Sequence, residues 1–269
     1  MTAAAIAVEQ GDIGVAGLAA SGILVAIAVG ISLWHQLGLE RSLLWASLRA
    51  LVQLLLVGLV LQLIVDPDDP LYWSVLWIAA MVVFAAWTTS RRAHDVPRVL
   101  QLSLVAYLLA ALVVLGVLFG FRIYDFEGRT LVPLAGMVIG NSLAATVLVS
   151  RQLMLAATEQ REVIEGRLAL GLSANDAFRP HLRQALRTAL VPQIESTKAV
   201  GIVFLPGAMV GLILAGVDPA DAVRVQISVM YLVLGSVATT TAVMSIGISR
   251  ALFTPAHQLR RIAAPTELG

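Results

Sequence analysis

The sequence predicts an all-α integral membrane protein with about seven transmembrane helices, its N-terminus outside and its C-terminus cytoplasmic. Three observations predict it. Of 269 residues, 59% are hydrophobic and 13% charged, where a soluble domain carries about 25% charged residues. The mean hydropathy is +0.88. Arginine falls almost entirely in alternate connections between the apolar runs.

The spans follow in order, each close to the roughly 20 apolar residues that cross a bilayer. The first, 13–34, follows a start that lacks the basic residues of a secretory signal, and so is expected to be retained as a membrane helix. The second, 43–65, ends in the acidic, proline-flanked loop DPDDP at 66–70, which also starts the third, 71–89. A basic loop at 90–98 leads to the fourth, 99–120. The fifth is placed at 131–150, the sixth at 197–216 and the seventh at 223–249, with the loop VDPAD at 217–221 between the last two.

Orientation follows from arginine. With the N-terminus outside, the inner segments hold Arg41, Arg49, Arg91, Arg92, Arg98, Arg151, Arg161, Arg167, Arg179, Arg183, Arg187, Arg250, Arg260 and Arg261. The outer segments hold only Arg122, Arg129 and Arg224. That is a positive-inside pattern, and it predicts a multi-pass protein of the plasma or inner membrane.

The long connection, 151–192, falls inside, and its composition reads as a helix–turn–helix. Gly171 stands where a helix C-cap glycine belongs. Ser173 with Asp176 three residues on resembles a capping box. Pro192 is expected to close the second helix before the sixth span. Such a unit is either an amphipathic connector on the membrane surface or a docking element for a cytoplasmic partner.

Several chemistries are excluded. With no cysteine there is no disulfide, thiolate nucleophile or iron–sulfur ligation. A net charge of +1 supplies no field for nucleic acid. No P-loop or other nucleotide cradle is present, so this chain is expected to bind no cofactor. Polar residues at membrane depth carry more information, because they are costly there. Asn141 follows Gly140 within the fifth span. Glu195 and Lys198 stand three apart at the start of the sixth, where they either pair on one helix face or leave Glu195 to contact a substrate or cation. Gln226 lies in the seventh, with the run 239–241 of threonines, whose hydroxyls commonly bond back to their own helix. Gly136 and Gly140, and again Gly207 and Gly211, form G-x-x-x-G patterns suited to close helix packing. Pro206 before Gly207 should kink or break the sixth span, and broken helices at depth line cavities or lie buried. That makes 204–211, with Met209, the first candidate for a translocation path. The methionine sulfurs suit soft metals or fill packing gaps, and the residues name no metal site.

The segment from Glu165 to Gly171 resembles the coupling loop of ABC transporter permeases, with Gly166 and Arg167 in place of paired alanines. A larger set is more specific. Met137 through Asn141, Arg151, Glu165, Leu168 through Gly171, Pro192, Gly201 through Gly211, Gly216 through Pro219, and Gln226 with Ile227 resemble the FetB (YbbM-type) permease family. The resemblance is strongest over 136–228. It implies the membrane subunit of an ABC exporter linked to iron or metal homeostasis, with ATP and magnesium on a separate cytoplasmic ATPase and the permease as a homodimer in the lipid bilayer. In that scheme Glu165, Arg167, Leu170, Gly171, Ser173, Asp176, Arg179 and Arg183 contact the ATPase. Asn141, Glu195, Pro206, Gly207, Met209 and Gln226 line the path. Plant relatives of the family are associated with aluminium tolerance, and export of a nucleotide sugar is an alternative. A different class is a stand-alone secondary transporter or channel that uses Glu195.

Overall fold

A computed structural model describes residues 15–64 and 71–260. The expectations placed on the start of the chain, on the 66–70 loop and on Arg261 lie outside the described residues. Within them every named element is a helix. The elements are α1 Val15–Trp34, α2 Glu40–Ile64, α3 Tyr72–Arg92, α4 Val99–Gly120, α5 Gly128–Glu159, α6 Arg161–Ala169, α7 Ala174–Ala199, α8 Gly207–Leu214 and α9 Pro219–Leu252.

Long apolar runs form helices because a helix satisfies its own backbone groups where water is scarce. Among the described residues five helices are long and apolar enough to cross a membrane: Glu40–Gly58 of α2, Tyr72–Arg92, Val99–Gly120, Gly128–Glu159 and Pro219–Leu252. The apolar stretch of α1, Ala20–Trp34, is shorter. The helix starts obey local chemistry. Asp218 caps α9, its Oδ1 accepting from the Ala220 N–H at 2.8 Å, and Pro219 occupies the first turn.

Two expectations need correction. The fifth span does not stop near 150, because α5 continues to Glu159. The sixth, 197–216, is not a single helix. α7 runs through both Pro180 and Pro192 to Ala199, so Pro192 does not close it. A proline inside a helix costs about 3 kcal/mol. Ala185 and Ala189 of α7 are buried in the core shared with α5 and α9, and that packing offsets the cost. The chain then breaks at 200–206, as Pro206 predicted. Gly201 adopts φ +86°, its N–H donates to the Phe204 carbonyl at 2.9 Å, and Pro206 caps α8.

α1 pairs with α2, while α3, α4, α5, α7 and α9 pack on one another, α5 with α9 most extensively. Small hydroxyl residues make that approach possible. Ser142, Thr146 and Ser150 on α5, and Ser236, Thr240, Thr241 and Ser245 on α9, are buried. Each hydroxyl bonds a carbonyl of its own preceding turn at 2.6–2.9 Å. Tyr107 of α4 is wholly buried, and its hydroxyl bonds Thr89 of α3 at 2.8 Å.

The tightest glycine is one the G-x-x-x-G patterns do not include. A Cβ on Gly247 of α9 would lie 2.6 Å from Leu102 Cδ2 of α4. Gly136 has an ordinary neighbour in Met81, and Gly140, Gly207 and Gly211 face open space within the single chain. Gly247→Val is therefore expected to destabilise the α4–α9 seam by about 1–3 kcal/mol through overpacking. Melting in detergent measures it, with Gly116→Val, which meets nothing within 4 Å, as the control.

Candidate functional site

The predicted site residues fall into two groups. The first forms an elbow between α6 and α7. The last carbonyls of α6 are closed by a left-handed turn at Gly171, φ +86°. The Gly171 N–H donates to the Leu168 carbonyl at 2.9 Å and the Leu172 N–H to that of Arg167 at 3.3 Å. Ser173 then caps α7. Its hydroxyl accepts from the Asp176 N–H at 3.2 Å and donates to the Asp176 carboxylate at 2.7 Å. The Arg167 guanidinium reaches across and donates to the Ala177 carbonyl at 3.2 Å, tying the two helices together. Glu165 pairs with Arg161 one turn earlier on α6.

Two apolar anchors fix this elbow to the spans. Ile164 and Phe178 are fully buried, in one core with Val149, Leu153 and Met154 of α5 and Met244, Ile248 and Leu252 of α9. The Phe178 ring meets Phe253 edge-on, centroids 5.8 Å apart. The opposite face is open. Leu170 at the tip is 82% exposed, and Arg179 and Arg183 are exposed on α7.

His181 sits beside Phe178 on α7, and its Nε2 has no hydrogen-bond partner among the described residues. Burial lowers its pKa below the usual histidine value, and the Arg167 charge lowers it further. The folded chain thus binds fewer protons here than the unfolded one as pH drops below the ordinary value of about 6.5, so stability is lost in that direction. The wild type is expected to lose more melting temperature between pH 7.5 and pH 5.5 than His181→Leu does.

The second group is not gathered into one place. Asn141 is exposed on α5, where its amide donates to the Met137 carbonyl at 2.9 Å. Glu195 pairs with Lys198 at 2.8 Å on an exposed face of α7. Pro206, Gly207 and Met209 lie at the start of α8, which packs on α9. Gln226 is only 5% exposed, with its carbonyl oxygen unpartnered among the described residues, so it does not share the open surface of Asn141 and Glu195. Among the described residues no three metal-ligating side chains converge.

Sequence reasoning missed Arg161 as a structural clamp. It donates to the carbonyls of Arg260 at 3.1 Å and Leu259 at 3.4 Å, from α6 to the C-terminal segment. Nothing local signals a bond across 99 positions; only the turn-forming TPAH sequence at 254–257 hints that the chain folds back after α9.

No solved structure matches the chain. It is 37% identical over 237 residues to the UPF0014 membrane protein STAR2 of Oryza sativa subsp. japonica, covering 88% of this chain and 82% of that one. It is 33% identical over 242 residues to the probable iron export permease protein FetB of Escherichia coli (strain K12), covering 90% and 93%. It is 31% identical over 242 residues to the protein ALUMINUM SENSITIVE 3 of Arabidopsis thaliana, covering 90% and 88%. The model of the uncharacterised protein family UPF0014 matches residues 15–253, nearly the whole described chain. With five helices able to cross a membrane and relatives named as membrane proteins, the chain is a multi-pass membrane protein of the UPF0014 family.

Proposed function

We propose that this chain is the membrane-spanning permease subunit of an ABC exporter of metal ions, iron foremost, driven by a separate cytoplasmic ATPase that binds ATP and magnesium. The observation that carries the proposal is the elbow: a short helix pair anchored to α5 and α9 by Ile164 and Phe178, and presenting an 82% exposed leucine at its tip. That design suits a lever. An apolar tip seats in a partner cleft, and rigid anchors pass its displacement to two spans. The choice of metal follows one relative, the probable iron export permease protein FetB of Escherichia coli.

Within this scheme the residues divide by what they touch. Leu170, Arg179 and Arg183 face the ATPase. Glu165, Arg167, Gly171, Ser173 and Asp176 hold the elbow in shape. Asn141 and Gly140 lie on an open face of α5. A polar side chain at membrane depth requires protein or water beside it, which supports a second copy of the chain across a central path. The broken segment at Pro206 and Gly207, with Met209 and the inward Gln226, is the proposed flexing wall of that path. The Glu195–Lys198 ion pair supports a structural use of Glu195 over a proton or cation site.

The test is flux from proteoliposomes that hold the chain with its ATPase. ATP-dependent movement of ferrous iron is the expected result. Movement that persists without ATP and collapses with the proton gradient sinks the proposal in favour of a secondary transporter.

A further inference from the structure

The C-terminal segment after α9 is built as a hook. The Thr254 N–H donates to the Gln258 carbonyl at 2.9 Å, and the His257 N–H to the Thr254 carbonyl at 3.0 Å. The Arg260 N–H returns to the Leu252 carbonyl at 2.9 Å, closing the loop on the end of α9. Phe253 and Leu259 point their apolar bulk into the core that holds the elbow. Two clasps then tie the hook to the elbow itself. Arg161 of α6 donates to the Leu259 and Arg260 carbonyls, and His257 Nδ1 accepts from the Ala174 N–H, the first helical residue of α7, at 3.3 Å.

Between hook and α6 lies a groove of about 700 Å³, lined on the α6 side by Arg161 and Glu165 and on the hook side by His257, Gln258, Leu259 and Arg260. Its charge is unbalanced. Glu165 is committed to Arg161. Among the described residues no carboxylate pairs with Arg260, nor with the exposed Arg179 and Arg183 of α7.

We infer that the hook and α6 form one composite docking surface, whose groove receives a carboxylate-bearing segment of the ATPase beside the cleft that takes Leu170. The inference rests on the permease proposal and extends it. Docking then spans both sides of the elbow. Because the hook continues directly from α9, the partner holds α9 at its end as well as through Phe178. Arg161 is a positioning residue here: its planar fork holds two hook carbonyls that a lysine cannot bridge in the same way.

Site-specific cross-linking tests this in the assembled complex. A photoreactive benzoylphenylalanine is placed at Gln258 in the hook, at Leu170 in the elbow tip, or at Phe121 beyond the other end of α4, and the chain is co-expressed with its ATPase. Cross-links to the ATPase are expected from both Gln258 and Leu170 and not from Phe121. Arg260→Glu is expected to weaken the Gln258 cross-link about tenfold through charge repulsion, and Arg260→Lys to preserve it. Cross-linking from Leu170 with none from Gln258 overturns the composite surface while leaving the permease proposal standing, as does an Arg260→Glu yield equal to wild type. Cross-linking from neither position overturns both.

Discussion

Phe178→Ala is expected to cost about 3–5 kcal/mol of stability, the range for deleting a fully buried aromatic ring. The ring has no exposed surface, and it fills the junction between α7, α9 and the hook. Its loss leaves a cavity where the elbow joins the spans. Thermal melting in detergent reads the stability. The same variant separates two parts of the account: if the elbow is a lever, ATPase molecules still bind at the Leu170 tip, but their hydrolysis no longer responds to substrate. Phe178→Leu refills much of the cavity and is expected to recover most of both. A Phe178→Ala chain with unchanged melting and unchanged coupling contradicts the anchoring role.

The second large effect is at Gly171. Its φ of +86° lies in the left-handed region, and a Cβ there meets nothing within 4 Å. Space is therefore not the obstacle; backbone conformation is. An L-residue with a Cβ is strained there by about 1–2 kcal/mol, more when β-branched. A nine-residue helix such as α6 cannot absorb this, since short helices depend on their ends and their packing. Gly171→Val is expected to loosen the Leu168–Gly171 and Arg167–Leu172 hydrogen bonds, shift Leu170, and reduce substrate-stimulated ATP hydrolysis several-fold. Gly171→Asn, which tolerates the left-handed region, is expected to retain most of it. Equal activity of the valine and asparagine variants counts against the turn as a coupling element.

How much of this was legible in the sequence depended on the range of the interactions. The turn at Gly171 and the Ser173–Asp176 cap were readable because both are made within six consecutive residues. The break at Pro206 was readable because a proline directly before a glycine interrupts the apolar run there. The same logic misled at Pro192. There α7 continues, because Ala185 and Ala189 pack on α5 and α9, and no local pattern reports that packing. The G-x-x-x-G motifs pointed to Gly140, Gly207 and Gly211, which are open in the single chain, whereas the close approach occurs at Gly247 against Leu102. The clasp from Arg161 to residues 259 and 260 was invisible for the same reason: arginine in a basic loop looks like a positive-inside charge until the fold brings two carbonyls to it.

The central claim is that an ATPase engages the α6–α7 elbow and drives the spans through it. It is tested most directly by co-expressing the chain with candidate ABC ATPase subunits from the same genome, purifying the tagged chain, and measuring bound ATPase together with substrate-stimulated ATP hydrolysis. The account predicts equal amounts of the two subunits and stimulated hydrolysis, and loss of both on Leu170→Asp, with the chain still folded by its melting curve. A folded chain that purifies without ATPase, or a Leu170→Asp chain that binds and stimulates ATPase like wild type, would contradict it.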